Sequence, residues 1–124
     1  MCGFVGIYSF SGRHVENIES LVQAMNKKIS HRGPDGSGIW NNEKHKICLG
    51  HQRLSIIDVS DKSKQPMTSI DGTSIVFNGE IYNYRELKLK LSDTKFYSDG
   101  DTEVVLELYK KMGKTFVNEL VGMF

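Results

Sequence analysis

The sequence predicts a mixed α+β fold. Short β-branched and apolar runs recur along the chain. Three other stretches repeat apolar residues at helical steps of three and four, and Gly-rich or polar segments separate the two kinds. The 124 residues are 39% hydrophobic and 25% charged, values ordinary for one globular domain with one core.

Phe4 to Phe10 reads as an apolar strand, with Gly3 and Gly6 leaving room for a close neighbour. Val15, Ile18, Leu21, Val22, Met25 and Ile29 mark one face of a helix over 15–29. Lys27 and Lys28 fall in its last turn, where cations suit the helix dipole. His31-Arg32-Gly33-Pro34-Asp35-Gly36-Ser37-Gly38 breaks both periods and reads as a loop. Ile39-Trp40 and Ile47-Cys48-Leu49 flank polar residues 41–44 as a hairpin.

Leu54 to Val59 is a third β-branched run, and Asp61 to Gly72 a surface loop. Ile75-Val76-Phe77 reads as a short buried strand leading into Asn78-Gly79. Tyr84, Leu87 and Leu91 share one face of a short helix. Asp101 or Thr102 is the expected N-cap of a further helix, buried through Val104, Val105, Leu108 and Met112. Leu120 to Phe124 is apolar without a polar tail, which reads as a fragment of a longer protein.

Sixteen Lys and Arg stand against fifteen Asp and Glu, a net charge of +1. Without a basic surplus, neither nucleic acid nor an anionic membrane is an expected partner. No apolar run approaches a membrane span. No Lys or Arg precedes Arg13, so the basic start of a secretory signal is missing. Cys2 occupies the position where myristoylation needs glycine. The cytoplasm is the expected compartment. Cys2 and Cys48 are too few for a disulfide scaffold, though a single bridge between them stays open. The four histidines show no metal-ligand spacing, and no Gly-x-x-x-x-Gly-Lys phosphate loop occurs, so no metal or nucleotide cofactor is expected in this chain.

A few residues can carry chemistry. Once Met1 is removed, Cys2 joins a thiol nucleophile to a free α-amine, whose unperturbed pKa is roughly 7.7–8.0. That amine can take the thiol proton without a separate histidine. The bland alternative is an ordinary buried cysteine. Asn78 and Gly79 can aim a side-chain amide and an unobstructed backbone N–H at one oxygen, or can simply form a turn. Arg53 can fork onto a carboxylate and Asp101 can hold an ammonium; alone, each is equally a surface charge or a cap.

In combination these segments resemble a known family. Met1-Cys2-Gly3-Phe4-Val5-Gly6-Ile7, His31-Arg32-Gly33-Pro34-Asp35-Gly36, Arg53-Leu54-Ser55-Ile56-Ile57-Asp58, Phe77-Asn78-Gly79-Glu80-Ile81-Tyr82-Asn83 and Asp101-Thr102-Glu103 occur in the order seen in class II glutamine amidotransferases. The likeness is greatest to the N-terminal glutaminase domain of glutamine-hydrolysing asparagine synthetases. The resemblance implies a four-layer αββα N-terminal nucleophile hydrolase, of which residues 1–124 are an incomplete type 2 amidotransferase domain.

It implies that Cys2 is the nucleophile and that Asn78 and Gly79 form the oxyanion hole. Arg53 would hold the glutamine carboxylate and Asp101 its ammonium, with Leu54, Ser55, Ile56, Ile57 and Glu80 completing the pocket. Glutamine is the implied substrate. Ammonia would pass to a synthetase domain using ATP and magnesium, which lies outside this chain. The His31–Gly36 loop receives no direct role. Alternatives are the amidotransferase half of a sugar- or phosphoribosyl-amidating enzyme, a glutamine-binding remnant without catalysis, or a small domain with incidental motifs. Oligomeric state is not legible.

Overall fold

Strict alternation in one short strand builds the first part of the molecule. The computed structural model describes residues 2–124, which divide into two units. The first takes the described part of Met1–Ser55 with Lys64–Pro66 and Val76–Asn78. Its sheet consists of β1 (Gly3–Tyr8), β2 (Gly36–Asn42) and β3 (Ile47–Arg53). The order is β1-β3-β2, all antiparallel, so β3 is paired on both sides. The register sets Gly3 opposite Gln52 and Gly36 opposite Arg53.

Helix α1 (Ile18–Lys28) lies against one face of this sheet, with Val22 over Gly50; Val22 and Cys48 are both fully inaccessible. Gln52 belongs to that face: its Nε2 donates to the Asn26 backbone oxygen at 3.1 Å. The next residues, His51 and Arg53, therefore point to the opposite face. Both cysteines are free thiols, and burial pushes the Cys48 thiol up, aided by the charge of Glu19.

Several expectations need correction here. The helix expected over 15–29 starts at Ile18, because Asn17 adopts a left-handed conformation at φ 54°. Within it, Leu21 is 48% exposed and Asn26 takes the buried place. The donor side of the Asn26 amide is satisfied there: its Nδ2 donates to Ser37 Oγ at 3.1 Å and to the His51 carbonyl at 3.3 Å. The loop expected to reach Gly38 instead becomes strand from Gly36. Glycine serves close approach in this region. A Cβ on Gly38 would strike the Gln65 backbone carbonyl, and one on Gly33 would strike the Gln52–Arg53 backbone.

The second unit comprises Ile56–Ser63, Met67–Ile75 and Gly79–Phe124. Helices α2 (Tyr84–Lys90) and α3 (Asp101–Met112) pack together, and Leu87, Leu91, Val104 and Leu108 are buried with Ile81. Two ribbons complete it: β4 (Met67–Thr68) with β5 (Ser74–Ile75), and β6 (Glu80–Ile81) with β7 (Gly122–Met123). Helix α3 begins at Asp101 with Gly100 as its N-cap, one residue earlier than an Asp101 cap would give.

The β-branched run Leu54 to Val59 forms no strand. Side chains take its backbone donors: Asp35 Oδ2 accepts from Ser55 N–H at 2.8 Å, and Asp58 Oδ1 from Ser60 N–H at 2.8 Å. Val59 is left 77% exposed. The strand expected at 75–77 shrinks to Ser74–Ile75 and is half-buried. Residues 120–124 are pinned as well as paired. Tyr82 N–H donates to Val121 O at 2.7 Å, and the Asn83 amide donates to Glu119 O and accepts from Val121 N–H, each at 2.9 Å.

If the bare Cα of Gly38 is what admits the Gln65 carbonyl, Gly38→Ala should lower stability by about 1–3 kcal/mol, the usual cost of overpacking. Urea unfolding followed by circular dichroism measures this; an unchanged midpoint would refute the close approach.

Candidate active site

The register of β1 on β3 brings the chain's first thiol to the end of the central strand. Cys2 directly precedes β1, and Leu54 directly follows β3. Because Gly3 faces Gln52, Cys2 comes level with the residues just past it. Leu54 N–H donates to Cys2 Sγ at 3.3 Å, and the thiol reaches back to Leu54 O at 3.5 Å. Arg32 Nη2 donates to the Cys2 carbonyl at 3.2 Å. The sulfur is half-buried and its backbone is held from the other side.

Arg53 ends β3 and is buried. Its carbonyl accepts from Asp35 N–H at 2.9 Å, while the Asp35 carboxylate takes Ser55 N–H. Asp35 thus fixes the chain on both sides of Leu54. The loop to which the sequence assigns no chemistry proves to organise the thiol through Arg32 and Asp35. Its signal was present in the Gly-Pro-Asp-Gly wording, but the wording names no partner. Cys2, Leu54, Arg53 and Ser55 come together within the first unit.

Asn78 is half-buried in the same unit. Phe77, immediately before it, is held at both of its backbone polar groups. Its N–H donates to Gln65 Oε1 at 2.6 Å, and its carbonyl lies 3.2 Å from His51 Nε2. A carbonyl only accepts, so the imidazole proton sits on Nε2. His51 is fully buried, and burial lowers its pKa. The hydrogen bond to Phe77 opposes that shift and the charge of Arg53 adds to it.

The second unit carries Ile56, Ile57, Gly79, Glu80 and Asp101. Asp101 is buried at the start of α3, and its Oδ2 accepts from Ile81 N–H at 2.9 Å. Burial raises its pKa, against hydrogen bonds from the backbone of Ile81, Asp101 and Thr102. Burial and the charge of Asp101 together raise that of Glu80 on β6.

The approach to Asp101 is built by groups the sequence reading passed over. Glu103 accepts from Ser98 N–H and Ser98 Oγ, both at 2.6 Å, and Asp58 Oδ2 accepts from Asp99 N–H at 3.0 Å. Hydrogen bonds from Ser63 and Ser60 hold Asp58 well below the usual carboxylate range. Ile56 and Ile57, expected in the pocket, are 61% and 41% exposed. Among the described residues, no three His, Cys, Asp or Glu gather to hold a metal ion, and no helix is long and apolar enough to cross a membrane.

The Cys2 thiol is clasped by the Leu54 backbone just past the end of β3. The profile of the glutamine amidotransferase domain matches residues 1–124. The chain belongs to the glutamine amidotransferase domain family. Its relatives agree. A putative glutamine-hydrolysing asparagine synthetase 2 of Methanocaldococcus jannaschii is 43% identical over the whole of this chain, which corresponds to 27% of that protein. Glutamine-hydrolysing asparagine synthetase 1 of Bacillus subtilis is 42% identical over the whole chain and 20% of its own length. A protein named amidase chry2 from Gibberella zeae is 45% identical over 89% of this chain and 16% of its own. The amidotransferase domain described here therefore spans only 16–27% of these curated relatives.

The lowered pKa of His51 has a measurable consequence. The unfolded chain takes up a proton near the ordinary histidine value of 6.5 that the folded chain resists. The contribution is thus complete above pH 6.5 and is lost as pH falls from there toward the folded value. Denaturant unfolding between pH 5 and 8 should show this acid-side loss in the native sequence and a flatter curve in His51→Gln; identical slopes would contradict it.

Proposed function

We propose that this chain hydrolyses glutamine to glutamate and ammonia through Cys2. The observation that carries the reading is the Cys2 sulfur, hydrogen-bonded to the Leu54 backbone at 3.3 Å beside Arg53. On this reading, residues 1–124 are part of an N-terminal nucleophile hydrolase domain of the four-layer αββα kind.

With Met1 removed, the α-amine of Cys2 accepts the thiol proton. The sulfur then attacks the side-chain amide carbon of glutamine. Asn78 and the Gly79 N–H stabilise the resulting oxyanion, worth roughly 2.7–4 kcal/mol per donor in comparable hydrolases. The C–N bond breaks as the α-ammonium of Cys2 returns its proton, and ammonia leaves. Water then cleaves the thioester, giving glutamate and the free thiol.

Substrate recognition follows from charge. Arg53 would fork onto the α-carboxylate, and the buried Asp101, with half-buried Glu80 beside it, would hold the α-ammonium. Leu54, Ser55, Ile56 and Ile57 would line the remaining pocket. Arg32 acts by keeping the Cys2 backbone in place.

The names of the Methanocaldococcus and Bacillus relatives support a larger role. In the parent protein the ammonia would pass to a synthetase domain that forms asparagine with ATP and magnesium. No step of the hydrolysis itself runs through either. Both the domain and its products would be cytoplasmic.

Cys2→Ala should abolish ammonia release from glutamine, and Asn78→Ala should lower kcat about 10²–10³-fold. Intact mass spectrometry after treatment with a diazo-ketone glutamine analogue should show loss of Met1 and one adduct on Cys2. Turnover by Cys2→Ala, or an adduct elsewhere, would overturn the reading.

A further inference from the structure

We infer that His51 is a positioning residue for Asn78: its Nε2–H holds the Phe77 carbonyl and so fixes the peptide that carries the oxyanion-stabilising amide. The inference rests on the proposed glutaminase chemistry and adds a residue to it.

The argument starts from the peptide plane. The Phe77 carbonyl and the Asn78 nitrogen belong to one rigid group. Anchoring the oxygen therefore sets the direction in which the Asn78 backbone leaves Phe77. His51 supplies that anchor at 3.2 Å. The other side of Phe77 is anchored too, by Gln65 Oε1 on its N–H at 2.6 Å. Neither bond comes from a strand neighbour, since regular pairing stops at Ile75. Without these two side chains the segment before Asn78 would be an ordinary loop.

The anchors are themselves linked. His51 is paired with Gly38 across the sheet. The Gln65 carbonyl lies against Gly38, in the space a Cβ would fill. The contacts thus run from Gly38 to His51, to Phe77, to Gln65 and back to Gly38. This closed ring stands on β3, the only strand of its sheet with partners on both sides. Oxyanion donors act by being held in place before the charge develops, and a displacement of about 1 Å forfeits much of their effect.

The imidazole fits the task. It must donate one hydrogen bond in a fully buried place, which a neutral ring does without bringing a charge beside Arg53. Glutamine can present its amide nitrogen where Nε2 lies, asparagine is too short to do so, and leucine fills the space with no donor.

The test compares His51→Gln, His51→Asn and His51→Leu in the full-length parent protein. Three readouts are needed: kcat and KM for glutamine, and the rate at which iodoacetamide alkylates Cys2, a displacement that forms no oxyanion. The Asn and Leu variants should lose about tenfold or more in kcat, with KM and alkylation within about threefold of the native protein. The Gln variant should recover most of kcat. Equal kcat in all three variants would overturn the inference, as would a parallel fall in kcat and alkylation. If Asn and Leu fail to fold, Gln65→Met, which frees the other side of Phe77, must show the same selective loss of kcat. Loss of fold there too would assign the ring to stability alone and overturn its catalytic role. A native protein that releases no ammonia would instead bring down the glutaminase reading itself, which these variants leave untouched when the native protein is active.

Discussion

A slip of one residue between β3 and its neighbours would turn Cys48 and Gln52 away from α1 and His51 and Arg53 toward it. The pairing of Gly3 with Gln52 and Gly36 with Arg53 forbids that slip. One face of β3 then serves the core: Cys48 is buried, Gly50 lies under Val22, and Gln52 bonds Asn26. The other face carries His51 and Arg53. The strand's end delivers Leu54 to the Cys2 sulfur. A single register therefore sets the core, the clasp on Cys2 and the anchor ahead of Asn78 at once.

Beyond the strands, side chains take over the work of the ladder. Asp35 takes the Ser55 N–H of a β-branched run that finds no sheet partner, and Asp58 takes the N–H groups of Ser60 just past it and of Asp99. Gln65 does so for Phe77, Glu103 for Tyr97 and Ser98, and Asn83 for the segment around Glu119 and Val121. Buried backbone groups need partners, and a carboxylate or amide supplies them where the chain must turn irregularly. Irregular stretches carry Leu54 and Asn78 and lead into Asp101 at the start of α3. Irregular backbone lets a side chain or N–H be aimed in a direction that a pleat does not offer.

The sequence made the α+β class, β1, the short helix at Tyr84 and the helix entering at Asp101 legible, because each rests on local periodicity. The family was legible too, since five short segments in order outweigh the weakness of each. Periodicity misled at Leu54 to Val59, where β-branched side chains favour strand but no partner strand exists. It misled at Asn26, whose polarity hid a buried position in which its Nδ2 donates to the distant Ser37 and His51. The proposed site residues were nameable from motifs. The groups that hold them were not: Arg32, Asp35, Gln65 and His51 act across 12 to 30 positions of chain, and spacing carries no record of such bonds.

Asn78-Gly79 is also a place where the chain can age. An asparagine followed by glycine can close on itself when the glycine nitrogen attacks the side-chain amide carbon and expels ammonia. The ring then opens to aspartate or its β-linked isomer. Closure needs the backbone to swing, and the grip of His51 and Gln65 on Phe77 restrains the residue just before that swing. The same ring of contacts therefore slows a spontaneous loss of the Asn78 amide. Where it loosens, a neutral amide would be replaced by a negative charge at the residue proposed to meet the oxyanion, with no change in the core.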